Sequence, residues 1–122
     1  MNATTQLLHT EQENIVLELD RIEMDKRPDL HEEYQRRYAI VADLIPLAVM
    51  QETVVEAVEQ KLHATEMLLL ELTRARRDNV DDVMLENLHI DHDYLTGLLK
   101  RIRLEIAAER YRTPLFEMPR WW

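Results

Sequence analysis

Residues 85–106, LENLHIDHDYLTGLLKRIRLEI, decide the fold. Within them Leu85, Leu88, His92, Leu95, Leu99, Ile102 and Ile106 recur in alternating steps of three and four. That spacing lays them in one stripe along a helix. Charge is polarised around the stripe: Asp78, Asp81, Asp82, Glu86, Asp91 and Asp93 come early, and Lys100, Arg101, Arg103, Arg110 and Arg112 come late. The order complements the helix macrodipole, which favours carboxylates at the start and cations at the end. The spacing predicts a helix over 80–112.

The seam needs partners, and the preceding residues supply them. Ala48, Val55, Leu62 and Leu69 fall at seven-residue intervals, with Val58, Thr65 and Leu72 between them, and the same interval reaches back to Val41 and Tyr34. Pro46 interrupts this run, since proline removes a backbone donor and crowds the preceding turn. The continuous register favours one long kinked helix over 30–77, with two helices as the alternative if Pro46 is a true break. Further back, Leu8, Ile15, Leu19 and Ile22 define a first helix over 5–26, with Glu11, Glu13, Glu18 and Asp20 placed off its apolar face. Arg27-Pro28 ends it, and Asp29 with Glu32 three residues later reads as a capping box for the next helix.

The expected fold is therefore all-α: an antiparallel bundle of three long helices, four if Pro46 separates two, with coiled-coil-like packing. Met67, Leu68, Leu70, Val83, Ile90, Tyr94 and Leu104 lie off the main seams. This second apolar surface suits either a compact three- to four-helix bundle or a side-by-side homodimer.

Composition excludes much else. A single glycine, Gly97, in 122 residues argues against multi-stranded sheets, dinucleotide fingerprints and phosphate loops. Without cysteine there is no disulfide framework, thiolate nucleophile or zinc–thiolate site. The apolar runs are too short to span a bilayer and the first residues carry no signal-peptide pattern, so a cytoplasmic protein is expected. A net charge of -9 argues against direct nucleic-acid binding and for a protein partner with a basic surface.

The segment 113–122, TPLFEMPRWW, changes character. It holds two prolines, the only phenylalanine and both tryptophans, and reads as a non-helical tail appended to a helical bundle over 1–112. Leu115, Phe116, Met118, Trp121 and Trp122 are candidate anchors, because aromatic side chains dominate interfaces. They dock either on the chain's own bundle or on a partner. The acidic clusters Glu11, Glu13, Glu18 and Asp78, Asp81, Asp82 would form the electrostatic half of the contact.

One chemical constellation stands out. Glu86-Asn87-Leu88-His89 is similar to the Glu-x-x-His element of carboxylate-bridged di-metal bundles, and His89 and His92 flank Asp91. With His63 these residues make a ferritin-like or hemerythrin-like metal-binding bundle the alternative reading. A second Glu-x-x-His element is missing, so no cofactor is expected. His92 then reads as a partnered core histidine that fixes helix register. Without serine, cysteine or a nucleophile elbow, no catalytic residue is expected and the chain reads as a non-enzymatic interaction module. An adaptor, an export chaperone or an inhibitor of a larger protein machine, as in bacterial or phage accessory factors, fits by analogy of size, acidity and helicity.

Overall fold

The computed structural model describes residues 2–74 and 82–116, with side chains up to Tyr111 in the second stretch. Among the described residues it forms four α-helices, one short 3-10 turn and no strand: α1 (Ala3–Arg21), α2 (Pro28–Leu44), the turn Ile45–Leu47, α3 (Gln51–Arg74) and α4 (Asp82–Phe116). No helix among these residues is long and apolar enough to cross a membrane.

Asn2 caps α1, its side-chain oxygen accepting from the Thr5 backbone N–H at 2.8 Å. The helix thus starts two residues before the spacing suggested. It closes at Arg21, where Ile22 turns to an extended conformation. Helix α2 begins with Pro28 in its first turn, where the missing N–H costs nothing. The residue ahead of it is Arg27, without a side-chain cap, so Asp29 lies inside the first turn and is not the cap.

Two readings of the sequence are corrected. Pro46 separates two helices: α2 stops at Leu44, the proline occupies a 3-10 turn, and α3 starts afresh at Gln51. The seven-residue register survives the break because Val41 and Ala48 are both buried, one on a helix and one in the corner. At the other end α4 continues past Arg112 to Phe116, so Thr113–Phe116 are helical and not part of a non-helical tail.

Side-chain links fix an up-down-up-down arrangement. Asn2 Nδ2 donates to the Ala48 carbonyl at 2.7 Å and Thr4 Oγ1 to Gln51 Oε1 at 2.7 Å, placing the start of α1 beside the start of α3. The Ala3 N–H meets Glu109 Oε2 at 3.4 Å, bringing the end of α4 to the same place. Helix α4 packs on both α1 and α3, while α1 pairs with α2. The core holds Leu8, Ile15, Val41, Leu44, Ala48, Val54, Val58, Leu95, Leu98, Leu99 and Ile102. Leu8, Val41, Leu44, Ala48, Val54, Val58, Leu99 and Ile102 lie in the helix halves nearer the Pro46 corner, and Ile15, Leu95 and Leu98 just beyond the middle. Toward the opposite end the facing residues Leu19, Ile22, Leu30, Leu69, Leu72, Leu85 and Leu88 are only half-buried.

Candidate interaction surface

The best-formed polar constellation joins α1, α2 and α4 at mid-bundle. Glu11 lies on the stripe that carries Leu8 and Ile15, so its carboxylate enters the interface. Arg101 Nη1 donates to Glu11 Oε2 at 2.8 Å and Arg101 Nη2 to Glu11 Oε1 at 3.2 Å, while the Tyr94 hydroxyl donates to Glu11 Oε1 at 2.8 Å. Burial opposes the charge on Glu11, but the bonds from Arg101 and Tyr94 outweigh it and hold the carboxyl below its ordinary range. Burial, reinforced by the Glu11 carboxylate, pushes the Tyr94 hydroxyl well up.

Arg37 extends the group. Its guanidinium lies 4.6 Å from the Tyr34 ring centre and 4.7 Å from that of Tyr94, and it pairs with Glu33 at 3.1 Å. Arg36 Nε reaches both oxygens of Asp91, at 3.0 and 3.1 Å. Two buried nitrogens, Arg36 Nη2 and Arg37 Nε, find no hydrogen-bond partner among the described residues. The three carboxylates and three guanidiniums balance, and each makes a contact within the cluster. The arrangement can stitch helices together, but it offers no free nucleophile or base.

Glu11 is therefore engaged within the bundle, its side chain only 13% exposed. Of its neighbours in the expected acidic face, Glu13 is exposed and Glu18 pairs with Arg21 at 3.3 Å. In the second acidic group Asp82 is exposed in the first turn of α4, and Asp78 and Asp81 lie outside the described residues. Among the tail anchors Leu115 and Phe116 close α4 with undescribed side chains, and Met118, Trp121 and Trp122 lie outside the described residues.

The histidines do not converge. His92 Nε2 meets Glu66 Oε1 on α3 at 3.1 Å, so the polar residue in the α4 seam has a partner across the α3–α4 interface. Glu86 and His89 are exposed on α4, and His63 is exposed on α3 near Glu56, Glu59 and Gln60. Among the described residues no group of three or more His, Asp or Glu side chains could hold a metal ion.

Two of the exposed grooves among the described residues carry apolar side chains between helices. Along α3 and α4, Glu52, Glu56 and Glu59 face Arg103 and Arg110 over a floor of Val55, Ile106 and Ala107. Ion pairs span it, Arg103 to Glu59 at 2.6 Å and Arg110 to Glu52 at 3.8 Å, so its charges already answer each other. The second groove lies between α1 and α2, lined by Gln12, Glu13, Val16, Leu17 and Tyr38. Here Val16, Leu17 and Tyr38 are 41%, 60% and 38% exposed. Glu13 and Asp20, both exposed, stand one helical turn to either side of Val16 and Leu17. Leu17 follows Glu13 by four residues and precedes Asp20 by three, a spacing that shares one helix face. Off-seam apolar residues behave unevenly elsewhere: Met67, Leu68, Leu70, Val83 and Leu104 are exposed, whereas Ile90 and Tyr94 are half-buried.

No protein-family model, curated protein or solved structure matches this chain.

Proposed function

We propose that this chain is a non-enzymatic, acidic helical interaction module that docks a protein partner on the outer face of α1 and α2. The observation that carries the reading is the apolar patch of Val16, Leu17 and Tyr38 rimmed by Glu13 and Asp20. Grouped exposed apolar side chains with a polar rim are the usual mark of a docking surface. An aliphatic centre contributes affinity by leaving water, and the carboxylate rim selects and steers a partner with basic residues around an apolar patch. The net charge of -9 extends that steering to the whole molecule.

An adaptor, a chaperone or an inhibitor of a larger machine would each use such a face. The test is affinity capture from the native host with the full chain and with Val16→Lys, Leu17→Lys together. Both residues are already exposed, so helicity by circular dichroism should be unchanged in the variant. The reading predicts a stoichiometric protein captured by the parent chain, released by salt and absent from the variant sample. A partner retained by the variant would move the docking face elsewhere. The homodimer belongs to the same measurement: a mass of two chains in sedimentation that falls to one in the variant would identify a second copy as the occupant.

A further inference from the structure

The two halves of the bundle are held together differently. On the side of the Pro46 corner Leu8, Val41, Val54, Val58 and Ile102 are fully buried. Past Ile15, Leu95 and Leu98 the inward stripes continue as Leu19, Ile22, Leu69, Leu72, Leu85 and Leu88, and each of these six is only half-buried.

Polar bonds follow the same division. On the corner side Asn2 binds Ala48, Thr4 binds Gln51, Ala3 meets Glu109, and Arg103 and Arg110 pair with Glu59 and Glu52. All of these join different elements. A belt of charge crosses mid-bundle, where Glu11 holds Arg101 and Tyr94, Arg36 holds Asp91, and His92 meets Glu66. Beyond the belt the pairs Arg21–Glu18, Lys26–Glu23 and Arg27–Asp29 join near neighbours in the chain and tie no two helices to each other.

We propose that the half of the bundle beyond the charge belt opens as one cooperative unit while the corner half stays folded. Sub-global opening draws on regions with few buried apolar contacts, and here the poorly buried leucines of α1, α3 and α4 face one another. The belt sets the limit, because Glu11 lies between Leu8 and Ile15 and opening past it would break ion pairs and dry core together. The helix pieces freed, 16–21, 28–35, 67–74 and 82–90, are each shorter than the roughly 12–15 residues at which an isolated helix is even marginal in water. Separation therefore unwinds them. In the closed bundle the six aliphatic side chains form a concealed apolar surface, which another molecule reaches only through this opening.

Native-state hydrogen exchange in low urea tests the proposal on the free chain, so the result is separate from the α1–α2 docking reading. The amides of Leu19, Tyr34, Leu69 and Leu88 should share one opening free energy and one urea dependence. Both values should be smaller than those shared by Leu8, Val41, Val58 and Ile102. Ile102→Val removes one buried methyl from the corner half and should lower protection of the corner amides several-fold. It should leave the far amides unchanged, because Ile102 remains packed in the open form. Leu88→Ala should lower both sets by the same factor, because Leu88 loses its contacts in either opening. One common free energy for all eight amides would overturn the proposal by showing an all-or-none bundle. Unrelated values for the four far amides would overturn it as independent fraying, and far amides that respond to Ile102→Val would place the boundary elsewhere than the belt.

Discussion

Glu11 and Arg101 form a two-point ion pair between α1 and α4, with donor–acceptor distances of 2.8 and 3.2 Å, and Tyr94 donates to the same carboxylate. The two members differ in burial: the Glu11 side chain is 13% exposed and that of Arg101 is 47% exposed. Removing Arg101 strands a largely buried charge, whereas removing Glu11 returns a guanidinium to water. Arg101→Ala should therefore destabilise the fold more than Glu11→Gln does. Bonds to charged groups suggest about 1–3 kcal/mol for the first change, with solvent screening of Arg101 favouring the lower part of that range. A double-mutant cycle by urea unfolding should return a coupling of at least about 0.5 kcal/mol, and additive single effects would show that the pair does not act as a unit.

The same carboxylate gives stability a direction in pH. Burial raises the Glu11 pKa, and the bonds from Arg101 and Tyr94 lower it further than burial raises it, so the folded value is depressed. A depressed carboxyl contributes stability above its unfolded pKa and loses it as pH falls through the folded value. The parent chain should thus lose stability on acidification below about pH 4.3, the ordinary glutamate value. The Glu11→Gln chain should lose less over the same interval. Parallel stability curves for the two proteins would assign the acid sensitivity to other groups.

Much of this fold was legible because burial and periodicity coincide. Every member of the Leu85–Ile106 stripe is buried or half-buried, and so are Leu8, Ile15, Leu19 and Ile22. The break at Pro46 was legible only as the alternative to a kinked helix, for an instructive reason. Seven-residue spacing reports which side chains meet the core, and Ala48 meets it from a turn as well as it would from a helix. The mid-bundle charge cluster was missed although a signal existed. Glu11 falls between Leu8 and Ile15 in steps of three and four, and Arg37 likewise between Tyr34 and Val41. A charge on an apolar stripe implies a partner across the interface, but spacing within one helix does not identify that partner. The exposed patch at Val16, Leu17 and Tyr38 joins residues more than 20 positions apart, so only the packing of α1 on α2 brings it into view.

Gly97 tests how far the chain's single glycine is required. It lies inside α4 on the exposed side, its φ is negative, and an added Cβ would meet no heavy atom within 4 Å. Nothing in the backbone or the packing calls for glycine here. Gly97→Ala should stabilise the protein by roughly 0.5–1 kcal/mol through the lost freedom of the unfolded chain and better helix propensity. A shift of the urea midpoint to lower concentration would mean that the position serves a contact beyond this chain.

Asn2 ties the start of α1 to the Pro46 corner, and its two ends carry separable functions. Its oxygen caps the helix through the Thr5 N–H, while its nitrogen donates to the Ala48 carbonyl at 2.7 Å. Asn2→Asp keeps the cap acceptor and loses the corner bond, whereas Asn2→Ala loses both. Loss of a cap costs about 0.5–2 kcal/mol, and a neutral hydrogen bond contributes about 0.5–1.5 kcal/mol. Asn2→Ala should therefore be the more damaging, with Asn2→Asp intermediate. Pro46→Ala completes the comparison. Proline pre-sets the backbone of this turn, so its removal should cost about 0.4–1 kcal/mol. If the corner is held by tertiary bonds as well as by proline, Pro46→Ala alone should stay helical with an unchanged mass. Combined with Asn2→Ala it should let α2 and α3 run together as one helix, so that the two hairpins separate and exchange between chains. A dimer by sedimentation in the double variant, absent from either single one, is the expected result. A dimer from Pro46→Ala alone would show that proline by itself maintains the break.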